Sequence, residues 1–221
     1  MFENRKEAGQ KLAYKLKEKL DIQNKKDFMI LALPRGGVIV AQQVSEILGI
    51  PFDVIVTRKI GHPFNPEYAI GAVGESGCFI ANPEVAESEI SQTYLKKKIQ
   101  EEQKEIERRL RQYRPARKFP QITDKKVILI DDGIATGLTV MAAIAEIKRR
   151  HPFQVILALP VAAPEAIRKI KKEFSEVIVL EQPRFFSAVS QCYRHFEQVT
   201  DKEVREAMKA QDRRDGESSQ N

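Results

Sequence analysis

The chain has 221 residues, 42% of them hydrophobic and 31% charged, which at about 150 residues per domain suggests one domain with a short appendage. Two cysteines, Cys78 and Cys192, match no metal-ligand spacing and argue against a disulfide scaffold or zinc module. No apolar run approaches the ~20 residues of a membrane span, and the charged opening MFENRKEAGQKLAYKLKEKL is unlike a signal peptide, so a cytoplasmic protein without a membrane partner is expected.

From the N-terminus, Ala8, Leu12, Leu16 and Leu20 recur every fourth residue and predict a helix with one apolar stripe. FMILAL (28–33) reads as a buried strand, VIVAQQVSEIL (38–48) as a helix closed by Gly49, and DVIVT (53–57) as the next strand. AIGAV (69–73) and CFIA (78–81), separated by Gly74-Glu75-Ser76-Gly77, read as a hairpin. Residues 84–114 contain neither glycine nor proline. Leu95, Ile99, Ile106, Leu110 and Tyr113 keep helical spacing there, which predicts one long helix with its charges outward.

Residues 96–118 hold ten Lys and Arg against four Glu, which accounts for the whole formal charge of +6. The rest of the chain is neutral, so a surface that coats nucleic acid is not indicated. A solvated basic face is the plainer expectation for this helix, with contact between two copies in a homo-oligomer, a dimer, as the sharper one.

KVILI (126–130), a helix over 138–150, QVILALPV (154–161), a helix over 164–173 and EVIVL (176–180) complete the pattern. Strands alternating with helices predict an α/β fold: a doubly wound, mostly parallel sheet with a small hairpin excursion. One domain over 1–208 is expected. Its core would span 28–180, its hood would come from about 1–25 and 181–208, and a polar tail would follow at 209–221.

Ligands of open parallel sheets sit beyond the carboxyl ends of the strands. Three segments follow such ends: Pro34-Arg35-Gly36-Gly37, Arg58-Lys59-Ile60-Gly61, and Asp131-Asp132-Gly133-Ile134-Ala135-Thr136-Gly137-Leu138-Thr139. Basic, glycine-rich and acidic residues thus converge on one edge, as a phosphate-bearing, metal-assisted substrate requires. In VILIDDGIATGLT (127–139) a buried strand delivers two carboxylates, and a loop with Gly133 and Gly137 then opens a helix. Amides at that helix start, with the hydroxyls of Thr136 and Thr139, suit a phosphate. Two carboxylates suit sugar hydroxyls, bound directly or through magnesium. The bland alternative is an Asp-Asp turn with a Thr/Gly cap.

These residues resemble the type I phosphoribosyltransferases. IDDGIATGLT is similar to that family's motif for 5-phosphoribosyl 1-diphosphate (PRPP), and Pro34-Arg35-Gly36-Gly37 to its pyrophosphate loop. Arg58-Lys59 resembles the start of its mobile catalytic loop. LPRGGV, TRKIG and NPEYAIGAV look closest to a prokaryotic branch of unassigned acceptor. The resemblance spans about residues 28–180.

It implies that Asp131 and Asp132 hold the ribose 2′- and 3′-hydroxyls and, directly or through water, Mg2+. Gly133 lies in the same motif, and Ala135, Thr136, Gly137 and Thr139 would wrap the 5′-phosphate. Arg35, with the amides of Gly36 and Gly37, would grip the pyrophosphate, and Arg35, Arg58 and Lys59 would stabilise it as it leaves. A non-proline cis peptide is expected in that loop, at Arg35-Gly36. Members that use 6-oxopurines usually carry an acidic residue where this chain has Ala135, so hypoxanthine and guanine are disfavoured and the acceptor stays open.

The chemistry implied is displacement of pyrophosphate from the ribose anomeric carbon by a nitrogen nucleophile such as a nucleobase. Water would destroy the activated sugar, so a closing lid is expected over 61–77. Glu67 reads as a loop carboxylate in preference to an acid–base group. His62 reads as a surface histidine, His151 as a helix-end contact, and His195 as part of the aromatic stretch RFFSAVSQCYRHF (184–196). That stretch either stacks on a planar acceptor or packs in the core. A PRPP-sensing regulator that binds RNA or DNA through 96–118 is the competing function. The glutamates at 101, 102, 105 and 107 oppose it, and the leaving-group clamp of Arg35 and Arg58-Lys59 favours an enzyme.

Overall fold

The structure, a computed structural model, describes residues 1–85, 90–115 and 118–218. Its elements in chain order are α1 (Arg5–Lys19), β1 (Phe28–Ala32), α2 (Gly36–Leu48), β2 (Phe52–Val54), β3 (Arg58–His62), β4 (Asn65–Val73) and β5 (Phe79–Ala81). Then come α3 (Gln92–Tyr113), β6 (Lys126–Ile130), α4 (Leu138–Lys148), β7 (Gln154–Val161), α5 (Pro164–Ile170), β8 (Glu176–Glu181) and α6 (Asp201–Ser218).

Five parallel strands form the central sheet in the order β2-β1-β6-β7-β8. Alternate residues of each strand face opposite layers, as the two-residue period of a strand demands. Ile30, Ala32, Ile128, Ile130, Ile156, Ala158 and Ile178 pack with the apolar stripes of α1 and α2 and with Val204, Ala207 and Met208 of α6. Leu31, Leu129, Leu157 and Leu159 pack on the other face with Val140, Ala143 and Ile147 of α4 and Ala166 and Ile170 of α5. Both faces are covered, which is why these strands read as unbroken apolar runs. The doubly wound α/β architecture is as expected.

Several boundaries differ from the sequence expectation, and the strand expected over 53–57 occupies Phe52–Val54. The hairpin belongs to a three-stranded antiparallel sheet, β3-β4-β5, because Arg58–His62 pairs along β4. The long helix begins at Gln92 rather than 84: Asn82 is buried, donates to the Ala69 carbonyl and accepts the Glu84 amide, and so turns the chain after β5. Residues 86–89 of the expected helix lie outside the described residues. The stretch from Lys209 reads as a polar tail but continues α6 to Ser218, with Gln211 buried against Ser45 of α2.

The chain ends also divide. α1 is a layer helix on the sheet, and only its first residues reach the strand ends. There Phe2 bridges to Tyr193, and the amides of Arg194 and His195 bond to the carbonyls of Phe2 and Glu3.

Candidate active site

Strand order places β1 beside β6, and from these two strands the chain winds away in opposite directions. That switch point opens a crevice beyond their carboxyl ends. Ala32 lies level with Ile130, and the Leu33 amide bonds to the Ile130 carbonyl at 2.9 Å, so the two following loops leave the sheet side by side. One carries Pro34-Arg35-Gly36-Gly37, and the other carries Asp131 through Thr139.

Contact between these loops is close. A β-carbon on Gly36 would overlap the Asp132 carboxylate, and one on Gly37 would lie 2.9 Å from both the Asp131 Cα and the Ile130 carbonyl oxygen. The family resemblance placed a cis peptide at Arg35-Gly36, but it occurs one bond earlier, at Pro34-Arg35.

Each loop opens a helix whose first turn lacks a side-chain cap. Arg35 stands at the start of α2. Gly137, in the left-handed conformation at φ 82°, stands at the start of α4. Uncapped amides and the positive end of the helix dipole make both starts receptive to anions. Ala135 and Thr136 are exposed beside the second start, Thr139 is half-buried in its first turn, and Gly133 is buried under Val161 and Val189.

The two carboxylates have different surroundings. Asp131 Oδ1 accepts the Asp132 amide at 2.8 Å. Burial, and then the neighbouring charge of Asp132, push the Asp131 carboxyl well above the usual carboxylate range, while the Asp132 amide and the Lys59 ammonium pull it back. Asp132 instead meets Arg5, with Nε 2.7 Å from Oδ2, and its carbonyl accepts the Tyr193 hydroxyl at 2.5 Å. Arg5 also donates to the Glu197 carbonyl at 2.9 Å and lies 3.7 Å over the Phe196 ring.

The predicted cations do not converge equally. Lys59 is exposed and acts on Asp131. Arg58, its neighbour in β3, is tied to Glu102 of α3 at 2.7 Å. Arg35 is half-buried and lies 3.8 Å from Asp201, the first residue of α6. Asp201 also accepts from Tyr113 at 2.5 Å and from Arg108 at 3.2 Å. Burial pushes the Asp201 carboxyl up, but these two donors outweigh it and hold it below the usual range. Sequence reasoning placed Tyr193 only within the 184–196 stretch, and it missed Arg5 and the pairing of Glu102 and Asp201 with the predicted arginines, because each comes from an element far away in the chain.

The expected lid has two unlike ends. At its base the 74–77 turn is pinned. Arg114 binds Glu75 at 2.8 Å, Glu75 accepts the Val56 amide at 3.0 Å, and Glu146 accepts the Ser76 amide at 3.1 Å. At its tip Phe64 is 90% exposed, with the His62 ring 5.8 Å away, and Tyr68 is exposed beside them. The Glu67 side chain lies outside the described residues. His195 pairs on the surface with Glu3, at 3.4 Å, and His151 ends the turn after α4. Both cysteines are free.

Among the phenylalanines and the tyrosine of the 184–196 stretch, only Phe185 presents an open ring, at 94% exposure. Tyr193 is buried, and Phe196 is covered by Arg5. A groove lined by Asp124, His151, Phe153 and Glu173 lies at the opposite end of β6 and β7 and holds none of the residues expected to bind PRPP.

Fold and site together define an α/β protein with paired carboxylates and two anion-receptive helix starts across one switch point. The family described as "Phosphoribosyl transferase domain" matches residues 2–197. The protein named "Putative phosphoribosyl transferase Rv0571c" of Mycobacterium tuberculosis H37Rv is 36% identical over 205 residues, covering 92% of this chain and 45% of that one. The chain thus spans about half the length of the curated relatives it matches. The crystal structure of TT1426 from Thermus thermophilus superposes with a TM-score of 0.77 at 38% identity, over 94% of this chain and 97% of that chain. A shorter match, 42% identical over 57 residues, is to a uracil phosphoribosyltransferase of Mycoplasma genitalium, covering 25% of this chain and 28% of that one. The chain belongs to the phosphoribosyl transferase domain family.

Proposed function

We propose that this chain is a pentosyltransferase: it transfers the 5-phosphoribosyl group of PRPP to a nitrogen acceptor and releases pyrophosphate. The observation that carries this reading is the meeting of Gly36 and Gly37 with Asp131 and Asp132 between two uncapped helix starts. Such a crevice has two anion-receptive ends with sugar-binding carboxylates between them, which matches a pentose phosphorylated at both ends.

In this reading Thr136, Thr139 and the amides from Ala135 into α4 hold the 5′-phosphate. Gly133 lets the loop turn beneath the sugar, and Asp131 and Asp132 accept its hydroxyls. The acceptor nitrogen bonds to the anomeric carbon as the bond to the pyrophosphate oxygen breaks, through an oxocarbenium-like state. Negative charge grows on the departing pyrophosphate, where Arg35, Lys59 and the first amides of α2 interact most strongly as it forms. Arg58 joins them when it exchanges Glu102 for the ligand. The β3–β4 tip closes to keep water from the sugar.

The acid pair also fits Mg2+. Arg5 engages one oxygen of Asp132 and an amide one oxygen of Asp131, and the second oxygens of the two neighbouring carboxylates are hard donors of the kind magnesium takes. Among the described residues no group of three or more His, Cys, Asp or Glu could hold a metal ion. Magnesium suits such a site because it retains waters and takes other ligands from substrate phosphates. When bound it would neutralise charge on the pyrophosphate.

The nucleic-acid reading is opposed along α3, where Glu105 engages Arg108 and Arg109, Glu101 engages Lys98, and Glu107 engages Arg111. Among the described residues no helix is long and apolar enough to cross a membrane. The reading includes a cytoplasmic location, a homodimer testable by sedimentation equilibrium, and an acceptor other than a 6-oxopurine. The test of function is magnesium- and PRPP-dependent pyrophosphate release, screened over nucleobases and small amines, with calorimetry of PRPP binding. Turnover that Arg35→Ala lowers more than it weakens ribose 5-phosphate binding supports the reading. Absence of PRPP binding would refute it.

A further inference from the structure

We propose that Arg5, at the head of the N-terminal helix, is a positioning residue that sets the Asp132 carboxylate for the sugar. This rests on the function proposed above and extends the site to an element outside the family motifs. The sequence puts Arg5 there by a local device. Asn4 accepts the amides of Lys6 and Glu7 at 2.9 and 3.0 Å, which starts α1 at Arg5 and aims its side chain across the strand ends.

That side chain is engaged at three points. Nε meets Asp132 Oδ2 at 2.7 Å, one terminal nitrogen donates to the Glu197 carbonyl, and the guanidinium plane lies 3.7 Å over Phe196. Arg5 is 9% exposed. The Tyr193 hydroxyl holds the Asp132 carbonyl, so Asp132 is gripped at its main chain by Tyr193 and at its side chain by Arg5.

The consequence is directional. A free aspartate rotates about two bonds and offers either oxygen. Here Oδ2 is committed to Arg5, which fixes the carboxylate in one orientation, so less rotational freedom is lost when a hydroxyl binds. Arg5 also offsets one of two adjacent negative charges without occupying Asp131. Its planar fork suits this task better than a lysine, since Nε and a terminal nitrogen serve different acceptors while the plane stacks on a ring.

The test compares two probes of the same crevice by calorimetry without magnesium, so that no metal links the acid pair to pyrophosphate: ribose 5-phosphate, which needs the carboxylates, and pyrophosphate, which needs the Arg35 loop. Arg5→Met should weaken ribose 5-phosphate by about tenfold or more and leave pyrophosphate affinity unchanged. Arg5→Lys should recover part of the loss. In an Asp132→Asn background, Arg5→Met should add no further loss.

Should Arg5→Met fail to fold, Phe196→Leu decides. It keeps the Arg5 charge but removes the surface that orients it, and should show the same selective loss at smaller size. Unchanged or tighter ribose 5-phosphate binding, an equal loss for both probes, or additivity with Asp132→Asn would each overturn the proposal. Failure of the wild-type protein to bind either probe would instead strike the proposed function itself, and this inference with it.

Discussion

Gly36 and Asp132 meet across the β1–β6 crevice with no room between them for a single carbon. A β-carbon at Gly36 would overlap the Asp132 carboxylate and come within 2.9 Å of Arg5 Nε. Gly36→Ala should therefore separate the two loops, costing about 1–3 kcal/mol as overpacked sites do and lowering ribose 5-phosphate affinity. Chemical denaturation and calorimetry check both effects, and wild-type values for both would show that the loops are not held together.

Asp132→Asn should weaken PRPP binding and also cost stability. A strand-end carboxylate that serves only a ligand could be exchanged without harm to the fold. Asp132, however, faces the buried guanidinium of Arg5. Losing that charge should cost about 1–3 kcal/mol, read as a lower denaturation midpoint without ligand. An unshifted midpoint would show the pair to be energetically idle.

Asp131→Asn should do the opposite in the ligand-free protein. Burial and the Asp132 charge raise the Asp131 pKa in the folded state. The folded state then binds this proton more tightly than the unfolded one, so stability falls as pH rises from the unfolded value through the raised one. An amide still accepts the Asp132 amide proton but carries no charge. The variant should therefore melt higher than wild type at pH 7, with the gap closing in acid. A lower melting temperature at pH 7 contradicts this assignment.

Arg114→Met should be among the costliest changes outside the crevice. Arg114 and Glu75 are both almost wholly buried, and their ion pair ties the end of α3 to the 74–77 turn. Removing one partner strands the other, at about 3–5 kcal/mol. Urea unfolding measures it, and a loss below about 1 kcal/mol would mean that the turn is held by its backbone contacts alone.

Limited proteolysis should cut at 62–68 and spare 74–77, and PRPP with magnesium should slow the cutting. The tip carries the exposed Phe64 and Tyr68, whereas the base is pinned through Glu75 and Ser76. Nicking at 74–77 would contradict the pinned base.

Much of the molecule was legible one residue at a time. KVILI and QVILALPV occupy β6 and β7 as written, since a run buried on both faces has no alternative as a strand. The Asp-Asp, glycine and threonine sequence after β6, and the Pro-Arg-Gly-Gly after β1, state their chemistry locally because strand, loop and helix start are contiguous. Less legible was the start of α3, where the side chain of Asn82 outweighs the absence of glycine and proline. The helical end of the chain was also hidden, because Val204, Met208 and Gln211 become a stripe only once α2 lies against them.

What the sequence alone determined, then, is the layered α/β scheme and the two loops that meet at its switch point, because both depend on short-range periodicity and on residues adjacent in the chain. Only the tertiary structure decided which charges face which. Arg5 reaches Asp132 across 127 positions, Arg35 turns to Asp201, and Arg58 to Glu102. Such pairings are set by how distant helices pack on the sheet, and a charge in a linear sequence gives no sign of its partner.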